Sequence, residues 1–410
     1  LPYIDLSYKP TENDLICKFF VEPEENSSIE KACENIAAES SIGTWTELFT
    51  MEPEIYKKLG PHVFEIDTSS GEVLIAYPSD LFELGNIPEI LSSIAGNIFG
   101  MKAVENLRLR DVEFPEKIVK SFLGPRFGIH GVRKLLGIQK RPLVGTIIKP
   151  KLGLNSEKHA RVAYESWLGG CDIVKDDENL TNQVFNPFKE RVLKTLEMRD
   201  KAEKETGERK IYMPNISAET EEMIERAEFV KENGGRYVMV DIVTVGFSAL
   251  QTLRNKNLDL VIHAHRAMHA AFTRNKKHGI SMLVLAKLSR LIGADQIHIG
   301  TVVGKMEGPK EEVMEIKNAI VGEWYGLKRT FPVCSGGLHP GLVPKLVEIL
   351  GNDIIIQAGG GVHGHPEGSK AGAKAMRQSV DAVMDCIPLE EYAKKHKELQ
   401  TALDKWGSAD

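Results

Sequence analysis

From about Pro142 to Gln357 the chain alternates between two hydrophobic patterns. Short, near-continuous apolar runs rich in β-branched residues occupy Leu143–Ile148, Asp172–Val174, Lys210–Pro214, Tyr237–Ile242, Leu258–His263, Gln296–Gly300, Phe331–Cys334 and Asp353–Gln357. Each is followed by a loop and then by a segment with helical periodicity. The segment after Asn215 is typical: Ser217 is placed to cap it, Met223, Ile224, Ala227 and Val230 share one face, and Gly234-Gly235 stop it. Apolar strands separated by helices predict a parallel sheet covered on both faces. Eight such units over about 240 residues predict an α/β fold of the closed (β/α)8, or TIM barrel, type. An open doubly wound sheet fits eight regular units less well.

The first 135 residues follow another pattern. Leu15–Val21 reads as a strand and Ser28–Ala38 as a helix with Ile29, Ala32, Cys33 and Ile36 on one face. Val63–Ile66 and Val73–Tyr77 flank Thr68-Ser69-Ser70-Gly71, a hairpin signal, and Ile90–Ala95 leads another helical stretch. These elements predict a separate α+β domain of the ferredoxin-like type over 1–135. The barrel then takes 136–410, and its charged, amphipathic tail after Pro388 is expected to form helices.

Composition narrows the function. The 410 residues are 42% hydrophobic and 27% charged, ordinary for a globular chain. The net charge is 52 − 58 = −6, and no basic stripe suggests nucleic acid. Five scattered cysteines without a C-x-x-C pair argue for reduced thiols rather than a disulfide or zinc framework. No apolar run approaches the roughly 18–20 residues of a membrane span. The start, Leu1-Pro2-Tyr3, carries no signal-peptide pattern. A cytoplasmic enzyme without membrane contact is the expectation.

Active sites of such barrels lie at the C-terminal ends of the strands, and polar residues collect there. The first strand ends in Lys149-Pro150-Lys151 and the second in Lys175-Asp176-Asp177-Glu178. The fifth gives His265-Arg266, the sixth His298 followed by Gly300-Thr301-Val302-Val303-Gly304-Lys305, the seventh Ser335-Gly336-Gly337, and the eighth Gly359-Gly360-Gly361. A lysine among carboxylates is ordinarily their counter-ion. It becomes a metal ligand if its amine takes up CO2, because a carbamate is an anion with hard oxygens of the kind Mg2+ prefers. The glycines after strands seven and eight let backbone N–H groups approach an anion, where barrel enzymes often hold phosphate. Gly300–Lys305 is one residue short of a P-loop and has Met306 where a metal-binding hydroxyl belongs, so it reads as a closing lid with a cation near its tip. His265 and Arg266 favour proton transfer and phosphate contact over a zinc protease, which needs Glu after the first histidine.

Together these motifs resemble the large subunit of ribulose-1,5-bisphosphate carboxylase/oxygenase, Rubisco, from about Glu39 to Gly368. Gly145–Leu154 is similar to the family's first-strand motif, and Gly169–Asn179 to its activation motif. Ala38–Thr46 and Gly96–Gly100 match two N-terminal motifs, and the general likeness is to the archaeal branch, form III. The resemblance implies that carbamylated Lys175, with Asp177 and Glu178, binds Mg2+, and that the carbamate takes the C3 proton of ribulose-1,5-bisphosphate. Lys149 would hold the developing oxyanion and later protonate the C2 carbanion, and Lys305 would meet the incoming CO2. O2 is the implied competing substrate. Arg266 and His298 would hold one phosphate. Gly337, Gly359, Gly360, Thr44 and Trp45 would hold the other, with Lys151 and Gly336 beside the bound substrate. His265 and Ser335 would contact its hydroxyls. Glu39 and Asn97 would steady the metal side and the lid lysine from a neighbouring subunit, in a homodimer or a larger assembly of dimers. The branch is associated with routing ribose bisphosphate from nucleotide breakdown (AMP salvage) to 3-phosphoglycerate.

Three other readings compete. A Rubisco-like enolase or isomerase would keep the metal site but replace substrate and lid residues, which are present here. A Schiff-base aldolase would use Lys149. A non-catalytic sugar-phosphate binding protein would have no need of the lysines and metal triad together.

Overall fold

The computed structural model describes residues 2–304 and 310–409. In chain order the described strands are β1 (Asp14–Pro23), β2 (His62–Ile66), β3 (Glu72–Pro78), β4 (Val104–Glu113), β5 (Leu143–Ile147), β6 (Ile173–Lys175), β7 (Ile211–Met213), β8 (Tyr237–Asp241), β9 (Val261–His265), β10 (Gly279–Ile280), β11 (Gln296–His298), β12 (Phe331–Cys334) and β13 (Ile355–Gln357). The chain packs as two compact units. One takes residues up to Leu123 with Met268–Leu291 and Trp324–Leu327. The other takes Gly124–Ala267, Ile292–Glu323 and the chain from Lys328 onward.

In the first unit the strand order is β10-β4-β1-β3-β2. β1 pairs antiparallel with both β3 and β4, and β2 with β3. With helices Ile29–Glu39 and Ile87–Ile94 between strands, this is the βαββαβ arrangement expected for a ferredoxin-like domain. Ser28 caps the first helix by accepting from Lys31 N at 3.1 Å. The β2–β3 turn is tied by Asp67, whose Oδ1 accepts from Ser69 N, and Gly71 takes the positive φ the turn needs. β4 was not among the expected strands. Leu107, Leu109 and Val112 face the core, but a bulge at Arg110 puts two charged residues, Arg110 and Asp111, between Leu109 and Val112 and breaks the apolar alternation. Arg108 is buried there because Thr273 O, at 2.9 Å, and Asn275 O accept from its guanidinium.

The second unit is built on an eight-stranded parallel sheet ordered β7-β6-β5-β13-β12-β11-β9-β8. A bridge between Asn215 and Met239 joins its two ends and closes the barrel. All eight expected strands are present. One is displaced: the run expected at Leu258–His263 becomes β9 at Val261–His265, because Asn257 and Asp259 adopt positive φ and cannot extend. A second expectation fails locally. Ser217 does not cap the helix Thr220–Glu232, which is capped by Glu219; the Ser217 hydroxyl accepts from Asp241 N at 2.8 Å instead. The face Met223, Ile224, Ala227 and Val230 is buried as expected.

One end of the barrel is filled by apolar side chains from successive strands, including Leu143, Ile173, Ile211, Tyr237, Val261, Phe331 and Ile355. The helix Gly128–Leu136 packs Val132 and Leu136 against them. Its start is fixed by Asp295, whose Oδ1 accepts from Phe127 N and Gly128 N and whose Oδ2 accepts from Ile262 N. These residues sit at the N-terminal ends of their strands, so polar chemistry is left to the other end. The tail forms helices Leu389–Ala393 and Lys397–Trp406, with Leu389, Ala393 and Leu399 packed on Ala382.

Candidate functional site at the barrel mouth

Lys175 is the last residue of β6 and is only 1% exposed. Its Nζ donates to Asp176 O at 2.9 Å and lies 3.8 Å from Glu178 Oε2. Burial holds the amine below its ordinary value, and the nearby carboxylates of Glu178, Asp177 and Asp241 only partly offset this. The side chain therefore favours the uncharged amine more than an exposed lysine does, and the uncharged amine is the nucleophilic form.

The carboxylates around it divide into two kinds. Asp176 points into a sealed pocket, where its Oδ1 accepts from Tyr212 OH at 2.7 Å and meets His159 Nε2 at 2.9 Å. Its Oδ2 accepts from Arg191 Nε at 3.1 Å and Asn215 N at 2.9 Å. Burial works to raise its pKa, but Arg191 and His159 outweigh burial and hold the carboxyl at about 2. Asp177 and Glu178 face the mouth. Asp177 Oδ2 accepts from Lys149 Nζ at 3.2 Å, and Glu178 Oε2 lies 3.6 Å from His265 Nε2. Asp241, the last residue of β8, is a further acid that the sequence reading passed over. Its Oδ1 is buried without a hydrogen-bond partner among the described residues, and burial pushes its carboxyl up to about 7. The strand-end rule that picked out Lys175 applies equally to Asp241.

The remaining expected residues of this unit sit at the same ends of their strands. Lys149 follows β5, and its Cε passes 3.1 Å from where a side chain on Gly359 would begin. The bare glycine after β13 thus leaves room for the lysine. Lys151 is exposed in the turn beyond. Arg266 follows β9, and burial draws its guanidinium down to about 10, opposed by Glu312. His298 ends β11 and meets Ser335 Oγ, after β12, at 2.9 Å. Burial, reinforced by the neighbouring cations, puts His298 well below the ordinary histidine value. Gly336 and Gly337 take positive φ, and Gly359-Gly360 begin the short helix Gly360–His363. Behind His298 stand His263, its buried partner, and Gln296, the partner of His263; the sequence puts His263 at a polar strand end but gives neither residue a role, and only the sheet brings them together.

In the other unit Thr44 Oγ1 donates to Glu39 Oε1 at 3.2 Å. Trp45 is 84% exposed, and Asn97 opens the turn Asn97–Gly100. Lys305, the expected lid cation, lies outside the described residues.

Asp177 and Glu178 offer carboxylate oxygens at the mouth, and among the described residues no three His, Cys, Asp or Glu side chains form a metal-binding group. A hard divalent cation suits such oxygens. The donor set fits Mg2+ if Lys175 contributes a third anion.

Two family models cover almost the whole chain. The ribulose bisphosphate carboxylase large chain, catalytic domain, matches residues 128–406, and the N-terminal domain of the same chain matches residues 2–118. The chain belongs to the ribulose bisphosphate carboxylase large chain family. Curated relatives in this family include the ribulose bisphosphate carboxylase of Methanosarcina mazei, 54% identical, with 98% of each chain covered. That of Methanocaldococcus jannaschii is 55% identical and covers 99% of this chain and all of its own. Among solved structures, an octameric Rubisco from Pyrococcus horikoshii in complex with sulfate superposes with a TM-score of 0.95 at 49% identity, covering 99% of this chain and 96% of its own. A dimeric archaeal Rubisco from Hyperthermus butylicus superposes at 0.93 with 46% identity and covers 99% of both chains.

Proposed function

We propose that the barrel mouth is the active site of a ribulose-1,5-bisphosphate carboxylase that requires Mg2+ and a carbamate on Lys175. One observation carries the proposal: a buried lysine, its amine held below its ordinary value by burial, stands beside two carboxylates that face the mouth. The uncharged amine adds to CO2 and releases a proton, which turns a neutral group into the third anionic oxygen ligand. Bound there by the Lys175 carbamate, Asp177 and Glu178, Mg2+ would supply charge to stabilise the oxyanion that forms as the sugar enolises.

The chain's own side chains take the remaining roles in this reading. Lys149, held on Asp177, is in place to donate a proton to carbon once carboxylation and cleavage leave a carbanion at C2. His265 and Ser335 contact the sugar hydroxyls. Arg266 and His298 bind one phosphate, a role suited to a bidentate guanidinium beside a neutral imidazole that can donate. Lys151, Gly336, Gly337, Gly359 and Gly360 bind the other end with Thr44 and Trp45. Lys305 meets the carboxylate that forms on CO2, and O2 competes for the same enediol. Glu39, Thr44, Trp45 and Asn97 act in the site of a second copy of the chain, in a homodimer or an assembly of dimers. Octameric and dimeric assemblies among structural relatives support the homo-oligomer. In this reading, which follows the likeness to the archaeal branch, ribose bisphosphate from nucleotide breakdown supplies the substrate. Incubation with ribulose bisphosphate, Mg2+ and labelled bicarbonate tests the activity. Labelled 3-phosphoglycerate is expected, and enolisation without labelled product would make the chain an enolase or isomerase.

A further inference from the structure

A line of four side chains crosses the barrel interior from Gln296 to the mouth. Gln296 Nε2 lies 2.8 Å from His263 Nδ1 and 3.5 Å from Met213 Sδ. His263 Nε2 lies 2.8 Å from His298 Nε2, and His298 Nδ1 lies 2.9 Å from Ser335 Oγ. Gln296 and His263 are fully buried, His298 is nearly so, and Ser335 is half-buried at the end of β12.

The direction of this line follows from what each atom can do. A thioether sulfur accepts weakly and cannot donate. An amide nitrogen placed between Met213 Sδ and an imidazole nitrogen can use both of its N–H groups. Turning the amide over would set the oxygen against the sulfur, which cannot donate to it. With Nε2 donating, His263 Nδ1 must accept, so its proton is on Nε2 and is donated to His298. His298 Nε2 then accepts, and its proton is on Nδ1, the nitrogen nearest the mouth. Protonating either ring twice would disrupt this order, and burial holds both rings in the neutral form.

The arrangement is costly to keep. Gln296 Oε1 is buried without a hydrogen-bond partner among the described residues, where an apolar side chain would fill the layer without that loss. Side chains that break a packing rule in this way point to a role outside stability.

We propose that Gln296 is a positioning residue: through His263 it fixes the tautomer of His298, so that His298 Nδ1–H donates to Ser335 Oγ and the Ser335 hydroxyl proton is left for an oxygen of the bisphosphate at the mouth. A phosphate oxygen can only accept. In the opposite tautomer the Ser335 hydroxyl would give its proton to the His298 Nδ1 lone pair and turn only its own lone pairs toward that oxygen. The inference rests on the proposed reading of the mouth as a bisphosphate site. Its structural half, the tautomer, can be measured without any turnover.

The experiment uses the full chain with 15N-labelled histidine and the near-isosteric Gln296→Met variant, which removes both N–H groups. In the unsubstituted protein the His298 nitrogens are expected to show the Nδ1–H tautomer. A proton on Nε2 would overturn the proposal without any variant being made. In Gln296→Met the two tautomers are expected to mix. The KM for ribulose bisphosphate and the inhibition constant of inorganic phosphate should both rise by the reciprocal of the remaining Nδ1–H fraction, about twofold for an even mixture. kcat should change less. A tautomer that stays fixed in the variant, or one that mixes while both constants hold, would refute the role of Gln296. Absence of carboxylation in the unsubstituted protein would refute the carboxylase reading instead and leave the tautomer measurement intact.

Discussion

Two carboxylates adjacent in the chain, Asp176 and Asp177, end in opposite surroundings. Asp176 is fully buried and has a partner for each lone pair it can offer: a phenol, an imidazole, a guanidinium and a backbone N–H. Asp177 is equally buried, yet its side-chain partners are the half-exposed amine of Lys149 and one backbone N–H, from Asn179. The pocket behind β6 is closed by its own hydrogen bonds, whereas the mouth in front has acids gathered around a lysine whose amine burial holds below its ordinary value. Complete satisfaction marks a structural carboxylate. Acids left short of partners, as Asp241 Oδ1 also is, mark a place where something else binds.

The sharpest break of that contrast is Lys175→Ala. Turnover should vanish, because alanine has no amine to take up CO2 and the cation would lose its third anionic ligand. Thermal unfolding of the variant should stay close to the parent. A variant that still makes 3-phosphoglycerate from labelled bicarbonate would remove Lys175 from the site. Lys305→Ala should come next in size. Carboxylation should be lost while C3 proton exchange stays measurable, since a lid cation meets charge appearing on CO2. An equal fall in both would assign the lysine to substrate binding or the first step.

A mixture of Lys175→Ala and Asn97→Ala chains extends the comparison to the other unit. Each homodimer should be inactive. A heterodimer related by a twofold axis should hold one intact site of two and recover about half the activity. Proven heterodimers without recovery would place Asn97 in its own chain's site. On the structural side, Asp176→Asn should leave Arg191 buried without its counter-charge and cost about 3–5 kcal/mol in chemical denaturation. An Asp176→Asn protein of unchanged stability would end the division drawn between the two acids.

The smallest effect concerns Asp172. Burial raises its pKa, but Arg141, bonded to both oxygens at 2.8 Å, and Arg377 outweigh burial and hold the carboxyl below its ordinary value. Its stabilisation is complete above the unfolded carboxyl value, about 3.8, and is lost as pH falls through the lower folded value. Stability should therefore drop as the pH is taken below about 4, and by less in Arg141→Ala. Equal acid sensitivity in the two proteins would count against the ion pair.

Much of this molecule was legible in the chain. The barrel strands are buried on both faces, so they read as plain apolar runs, and the strand-end rule pointed to Lys175, Asp177, Glu178 and His265 before any coordinates. What stayed hidden depended on partners distant in sequence. β4 carries Arg108 into the core only because carbonyls more than 160 residues later accept from it. Ser217 left the helix it could have capped for a backbone N–H across the sheet. Gln296 and His263 look like interruptions of their strands until β9 and β11 pair and set them 2.8 Å apart.

The central claim is that Lys175 must take up CO2 before the site works. It is tested most directly by C3 proton exchange of ribulose bisphosphate, a step that needs no CO2 as substrate. Protein stripped of CO2 and assayed in CO2-free buffer with Mg2+ should be inactive. Preincubation with CO2 and Mg2+ together should restore exchange, and neither alone should suffice. Full exchange in rigorously CO2-free buffer would contradict the account.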